Sequence, residues 1–380
     1  MGQCFFHQHN DKIVHWSFKC RNKDVFFTPE MVEEIKYQIG LYCQLRYKRE
    51  ELEYLLSYKF LHKDYIDFLK FWHPVQEDMV IGTDAPCGLT FEAESSTTCA
   101  SPYETQIMAI ICEVYYRMGG AGIPYEQLLE DYKKNQVDSI VDLIKTGTYL
   151  PGVFSDFGFR RRLSSEAQDY AISKFKDVTG FVGTSNVYLA MKYGVKAVGT
   201  MAHEFVMLVG QGYPERNPAY SNKYMMDSWV KEYGILNGIA LTDTIGTPAF
   251  LKDFQTTFAT VFSGVRHDSG DPYEWGNKMI AHYKSLGIDP LTKTLLFSDS
   301  LSFEKATIIN KYFAGKVKVA FGIGGAICSP QGHELNIVIK TTAVDGRPVA
   351  KLSDAPGKNM CKDPEYIDYL RKTVDWRLNH

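Results

Sequence analysis

Hydrophobic and polar positions along the 380-residue chain change rhythm near residue 150. Before it the pattern is mixed. Residues 13–21, IVHWSFKCR, alternate and predict a strand. Thr28-Pro29-Glu30 opens a helix, with an N-cap, a proline at N1 and an acid in the first turn. Segments 49–60 and 63–72 place apolar residues at helical spacing with charges between them. Residues 78–95 predict two strands around an Asp-Ala-Pro turn. A strongly apolar helix follows at 103–118, ended by the glycine-rich stretch 119–122, and another at 125–145.

Beyond 150 short β-type runs alternate with capped helices. Strands are predicted at 153–157, 181–183, 197–200, 238–241, 260–265, 294–297 and 317–321, each handing over to polar or glycine residues. Repeated β-then-α units call for a parallel sheet, either closed as a barrel or open and doubly wound. Seven such strands without a long interruption favour a TIM-like α/β barrel, irregular because the spacings vary. After Gly325 the rhythm stops. Residues 335–341 and 347–352 predict an antiparallel pair around Val344-Asp345-Gly346. An isolated hairpin is marginal, so this pair is expected to join the N-terminal unit. The expected organisation is an α/β sandwich from residues 1–100 plus 333–380 and a barrel from 101–332.

Composition narrows the classes. The chain is 45% hydrophobic and 23% charged, with a formal net charge of -3, which fits a globular protein with a large core and disfavours a nucleic-acid binder. The eight cysteines form no C-x-x-C pair, and sequence spacing completes no zinc motif. Scattered thiols point to a reducing cytoplasm. No apolar run is long enough for a membrane span, and MGQCFFHQ lacks a signal-peptide pattern.

The carboxyl ends of parallel barrel strands converge on one mouth. The residues predicted there include Asp156, Arg160, Ser185, His203, Asp243, Arg266, Asp268, Asp299 and Gly322–Gly325. Two anion binders, several carboxylates, one histidine and a glycine turn suit a phosphorylated sugar with a metal ion. The densest stretch is GVRHDSGD at 264–271, where Asp271-Pro272 also caps a helix. His203 needs a partner. On a strand its neighbour Glu204 points to the other side, whereas Asp243 lies at another strand end and is the better candidate to hold the imidazole. Some features also have plainer readings: Phe157 as core, Arg160–Arg162 as a solvated helix start, and FGIGG as an ordinary turn.

Taken together, SDFGFRRRLSSEAQ, FVGTSNVYLA, GTMAHEF, GIALTDT, GVRHDSGDPYEWG, LLFSDSL, FGIGG and LNIVIK…KLSDAPGK resemble, in order, the nicotinate phosphoribosyltransferases. The resemblance spans nearly the whole chain. It implies an irregular α/β barrel with an α/β sandwich built from both termini. The implied reaction has nicotinate displace pyrophosphate from C1 of phosphoribosyl pyrophosphate, giving nicotinate mononucleotide for NAD biosynthesis. ATP is a co-substrate, hydrolysed through a phosphohistidine at His203, and Mg²⁺ accompanies the pyrophosphate. Asp243 would orient His203. Phe157 would stack on the pyridine ring with Arg160 near its carboxylate. Ser185 stands where nicotinamide-using relatives carry an acid. Arg266 and Asp268 would hold the ribose and its phosphate. Ser298, Gly324 and Gly325 would cradle the 5′-phosphate, and Arg21 would meet pyrophosphate. His267 yields to His203 as the catalytic histidine.

One departure accompanies this resemblance. Family members carry an acid-x-Tyr-Lys segment just before the position of Met1, whose tyrosine reaches across a homodimer interface onto the substrate ring. The expectations are therefore an active homodimeric enzyme whose sequence starts late, or a catalytically impaired binding homologue. A nicotinamide-using enzyme is a third reading, opposed by Ser185.

Overall fold

The structure, a computed structural model, describes residues 1–100, 102–354 and 361–380. The motif residues 355–358 lie outside the described residues. Twelve strands run in chain order through these residues: β1 Ile13–Cys20, β2 Met79–Gly82, β3 Thr90–Ser96, β4 Val153–Asp156, β5 Phe181–Thr184, β6 Lys196–Ala197, β7 Ile239–Leu241, β8 Gly264–His267, β9 Thr294–Phe297, β10 Lys318–Ile323, β11 Ile337–Val344 and β12 Arg347–Pro348. They form two sheets, an antiparallel one in the order β12-β11-β1-β3-β2 and a parallel one in the order β6-β5-β4-β10-β9-β8-β7. The antiparallel sheet thus draws on both ends of the chain, with β1 paired to β11 on one side and β3 on the other.

The parallel sheet curls into a half-barrel, with its lining helices supplied by the connections. Its two edges are β6 and β7, which share no backbone ladder. The chain between these edges forms the helices His203–Gln211 and Ser221–Tyr233. These two pack closely, Phe205 edge-on to Trp229 at 5.2 Å. The opening between the edge strands is bridged by side chains. From beyond β7 and from β8, Asp243 meets His203, and Arg266 Nη1 donates to Thr200 Oγ1 at 2.7 Å and to the Met201 carbonyl at 3.2 Å.

Local sequence signals account for most elements. Thr28, Ser164, Asn186, Asp271 and Ser302 each cap a helix through the side chain. Three expectations change. Residues 260–261 close the helix Thr256–Val261, and the strand begins only at Gly264. Strand propensity of threonine and valine yields here to packing, with Ala259 buried. Gly264 suits the strand because a Cβ there would lie 2.1 Å from the Thr294 carbonyl oxygen. The predicted strand 197–200 shrinks to Lys196–Ala197, and His203 starts a helix rather than ending a strand. The segment 347–352 keeps ladder pairing only at Arg347–Pro348 and a bridge at Lys351.

The expected helix at 125–145 is continuous but contains a wide π turn, Tyr132–Asp138. From that turn Tyr132 Oη donates to the Ile327 carbonyl at 2.6 Å, and Gln136 Nε2 to the carbonyls of Ala326 and Ser329. The π turn therefore braces the short helix Gly325–Cys328 from behind. The last helix, Pro364–Asn379, is anchored by the buried Arg377–Asp253 pair and by Arg377 Nη1 on the Ala219 carbonyl at 2.6 Å. Among the described residues no helix is long and apolar enough to cross a membrane.

Candidate active site

Register sets the mouth of the half-barrel. Asp156 lies opposite Thr184 and Ile323, Phe297 opposite Phe321 and His267, and Leu241 opposite Arg266. The residues that follow each strand therefore emerge at one level: Phe157, Ser185, Asp243, Asp268, Ser298 and Gly324. They open into a cavity of about 1130 Å³ whose other wall includes Val338 and Lys340 of β11. Of the residues expected at the mouth, Arg21, Phe157, Arg160, Ser185, His203, Arg266, Asp268, Ser298, Asp299, Gly322, Gly324 and Gly325 line this cavity, whereas Asp156 and Ile323 are buried beneath it and Asp243 stands behind His203.

At the centre the charges are matched. His203 Nε2 lies 2.9 Å from Asp243 Oδ1 and 3.6 Å from Asp268 Oδ2. Asp243 Oδ2 meets Lys351 Nζ at 2.9 Å and accepts from Ser269 Oγ at 2.6 Å. Arg266 Nη2 donates to Asp268 Oδ1 at 2.7 Å and its Nε to Ser298 Oγ at 2.8 Å. Burial opposes ionisation of Asp243, but His203 and Lys351 outweigh it and hold the carboxyl well below its usual range. Asp268 is likewise buried, and Arg266 and His203 win there too. Burial lowers His203, with Asp243 opposing. The imidazole is therefore neutral near pH 7. With its Nε2 proton on Asp243, the lone pair sits on Nδ1.

The stretch 264–271 divides its labour. Arg266 and Asp268 face the cavity. His267 is buried between Trp275 at 5.1 Å and Phe297 at 5.7 Å, and its role is packing. Gly270 has φ +86°, which a side chain would strain. Asp271 caps the next helix by accepting from the Tyr273 and Glu274 amides.

On the other side of the mouth positive charge dominates. Arg160 Nη1 donates to the buried Glu104 at 2.6 Å, and Lys340 Nζ lies 3.5 Å from the same oxygen. These two cations keep Glu104 ionised against its burial. Arg21 and Arg161 have no carboxylate within ion-pair distance among the described residues. Desolvation and Arg160 lower Arg21, and burial with Arg160 brings Arg161 down to about 10. Glu204 is pushed up to about 8 by burial and Glu104, and its Oε1 has no hydrogen-bond partner among the described residues. It is neutral at pH 7, so the excess of positive charge stands.

The Phe157 ring also faces this cavity. The Phe157 ring lies over Gly322, where a Cβ would come within 2.4 Å of it, and Gly158 is similarly pressed against Cys328. Asp156 is buried and fixes the turn from below, accepting from Gly158 N, Thr184 Oγ1 and Gln168 Nε2. Its role is structural. Ser185 Oγ accepts from Phe159 N at 3.4 Å. Gly324 caps the helix Gly325–Cys328, and the amides of Gly325 and Ala326 precede that helix's first internal bonds. Amides of that kind suit phosphate oxygens.

Several residues of the site escaped sequence reading. Lys351 and Ser269 sat inside quoted motifs without a role. Glu104 was legible only as one of two acids in a largely apolar helix, and Lys340 as a cation in a largely apolar strand.

The fold and site define an α/β-barrel protein whose mouth is built for anions beside a buffered histidine. Residues 153–377 match the profile of the nicotinate phosphoribosyltransferase (NAPRTase) family, and residues 1–112 that of the NAPRTase N-terminal domain. The nicotinate phosphoribosyltransferase of Cupriavidus necator is 39% identical, covering 98% of this chain and 94% of its own. That of Chromobacterium violaceum is 38% identical, covering 98% and 93%. The crystal structure of nicotinate phosphoribosyltransferase from Vibrio cholerae superposes with a TM-score of 0.90 at 33% identity, covering 99% of this chain and 90% of that one. The chain belongs to the nicotinate phosphoribosyltransferase family.

Proposed function

We propose that the protein joins nicotinate to phosphoribosyl pyrophosphate and couples this to ATP hydrolysis through His203, feeding NAD biosynthesis. The pyridine nitrogen forms a bond to C1 of the ribose while the C1–oxygen bond to pyrophosphate breaks, the electron pair leaving on pyrophosphate. In the coupled step His203 Nδ1 attacks the γ-phosphorus of ATP, ADP leaves, and water later returns the imidazole with release of phosphate. The observation that carries this reading is the neutral, cavity-facing His203 held through Nε2 by Asp243. Arg160 and Lys340 line the same cavity as Phe157 and favour an anionic ring over a neutral one. Arg21 and Arg161 suit the leaving pyrophosphate.

His203, Asp243 and Asp268 offer ligand atoms within 4.8 Å of one another. Arg266 and Lys351 already neutralise both carboxylates, so these residues do not fit a resident Mg²⁺. Mg²⁺ belongs with the pyrophosphate substrates.

Purified protein supplied with nicotinate, phosphoribosyl pyrophosphate, ATP and Mg²⁺ is expected to yield nicotinate mononucleotide and ADP, separated by chromatography. His203→Ala is expected to abolish ATP turnover and leave slow transfer. No mononucleotide from the unaltered protein overturns the reaction. Unchanged ATP turnover in His203→Ala overturns the phosphohistidine.

A further inference from the structure

Outside the cavity, three segments meet around a buried carboxylate. They are the helix Gly2–Gln8, the entry to the helix Lys63–Leu69, and the helix Ser221–Tyr233. Glu232 has a side chain only 4% exposed. Its Oε1 accepts from Gln3 Nε2 at 2.7 Å and its Oε2 from Gln8 Nε2 at 3.0 Å. The same Oε1 lies 2.7 Å from His7 Nδ1, and His7 Nε2 lies 3.1 Å from Asp64 Oδ2. The His62 ring stacks on His7 at 5.5 Å and makes no hydrogen bond among the described residues. Ligand atoms of His7, His62 and Glu232 all fall within 4.8 Å of one another.

The arrangement poses a proton problem. A neutral imidazole has one N–H, yet both nitrogens of His7 face carboxylate oxygens. One contact is then acceptor against acceptor unless a second proton or a cation lies between them. If Nε2–H donates to Asp64, Nδ1 carries its lone pair toward Glu232 and His62. A histidine oriented by a carboxylate on its far nitrogen is how metal-ligating imidazoles are held. Two imidazoles and one carboxylate prefer ions of the zinc class over Mg²⁺ or Ca²⁺.

We infer that His7, His62 and Glu232 form a binding site for a divalent transition-metal ion, with Asp64 orienting His7 and water free to complete the shell. Ligand atoms 2.7 Å apart are close for a tetrahedral ion with bonds of about 2.0–2.2 Å, so the Glu232 carboxylate turns by a few tenths of an ångström as the ion enters. Gln3 holds the surrounding backbone in place, donating to the Phe60 carbonyl and accepting from His62 N. The bound ion would fasten the first helix to a barrel helix through residues distant in sequence. Sequence spacing could not show it, because its members come from positions 7, 62 and 232.

The test uses the full chain freed of metal by chelator dialysis at pH 7.5 and titrated with Zn²⁺ against a chromogenic chelator. One Zn²⁺ per chain is expected, with a rise in Tm that excess Mg²⁺ does not reproduce. His62→Ala, which removes no hydrogen bond of the ring, is expected to weaken binding by more than about 10-fold. Asp64→Asn is expected to weaken it on the order of 10-fold while the protein stays folded by circular dichroism. Phosphoribosyl transfer is expected to be unchanged in both. No Zn²⁺ binding, or binding that survives both His62→Ala and Glu232→Gln, overturns the site. Two N–H protons on His7 that persist in NMR spectra at saturating Zn²⁺ also overturn it, in favour of an imidazolium bridge.

Discussion

The two sides of the cavity mouth treat charge in opposite ways. Around His203 each carboxylate faces a cation: Asp243 has Lys351 and His203, and Asp268 has Arg266. Across the mouth Arg160 and Lys340 share the ionised Glu104, Arg21 and Arg161 have no ion-pair partner among the described residues, and Glu204 is neutral. A matched cluster is preorganised and moves little when a reaction shifts a proton or a phosphoryl group. An unmatched cluster carries the cost of like-charge crowding until an anion arrives. On the proposed function, chemistry falls to the matched region and substrate anions to the unmatched one.

Removing the matched charge is expected to have the largest effect. Asp243→Asn leaves His203 unable to rely on Nε2–H donation and is expected to cut ATP-coupled turnover on the order of 10²- to 10⁴-fold, with modest change in KM. A KM change without loss of kcat would place Asp243 on the binding side instead. Removing an unmatched charge should act differently. If Arg21 meets pyrophosphate as proposed, Arg21→Ala is expected to raise the KM for phosphoribosyl pyrophosphate roughly 10- to 100-fold. Its Tm should hold, because Arg21 makes no ion pair among the described residues. A fall in Tm at constant KM would make that arginine structural.

Gly322→Ala probes the Phe157 wall of the cavity. The added methyl meets the Phe157 ring at 2.4 Å, so the ring must shift. We expect a destabilisation of about 1–3 kcal/mol by chemical denaturation and a KM for nicotinate raised several-fold. Unchanged nicotinate KM would remove Phe157 from the substrate site.

The smallest effect concerns Glu204. Its folded pKa of about 8 lies above its ordinary value of 4.5, so the folded state holds the proton more tightly than the unfolded one. That contribution is fully present below about pH 4.5 and is lost as pH rises through 8. Glu204→Gln is expected to flatten the decline of Tm between pH 5 and 8. An identical slope in the variant would mean that Glu204 is ionised and that the mouth is less positive than argued.

Much of this was readable in advance, for identifiable reasons. Parallel strands carry their chemistry at carboxyl ends, so Ser185, Asp268 and Gly324 could be gathered from strand order, while Phe157 and Ser298 entered through the resemblance. The curled parallel sheet followed from the β-then-α rhythm. What resisted was tertiary. Strand 196–197 is two residues long, too short for any pattern, so His203 looked like a strand end and Glu204 looked averted. Both are buried in the first turn of one helix. Lys351 and Glu104 are pairing residues, and a pair is invisible until its partner, distant in sequence, is known.

The opening between β6 and β7 has a further consequence. A barrel closed by backbone hydrogen bonds has a stiffness that ionisation cannot alter. Here the last join consists of one imidazole, one carboxylate and one guanidinium. Whatever binds Arg266 competes with the Thr200 and Met201 contacts that help hold the ring shut. On the proposed function, a substrate anion at Arg266 therefore acts on the same contacts that span the opening.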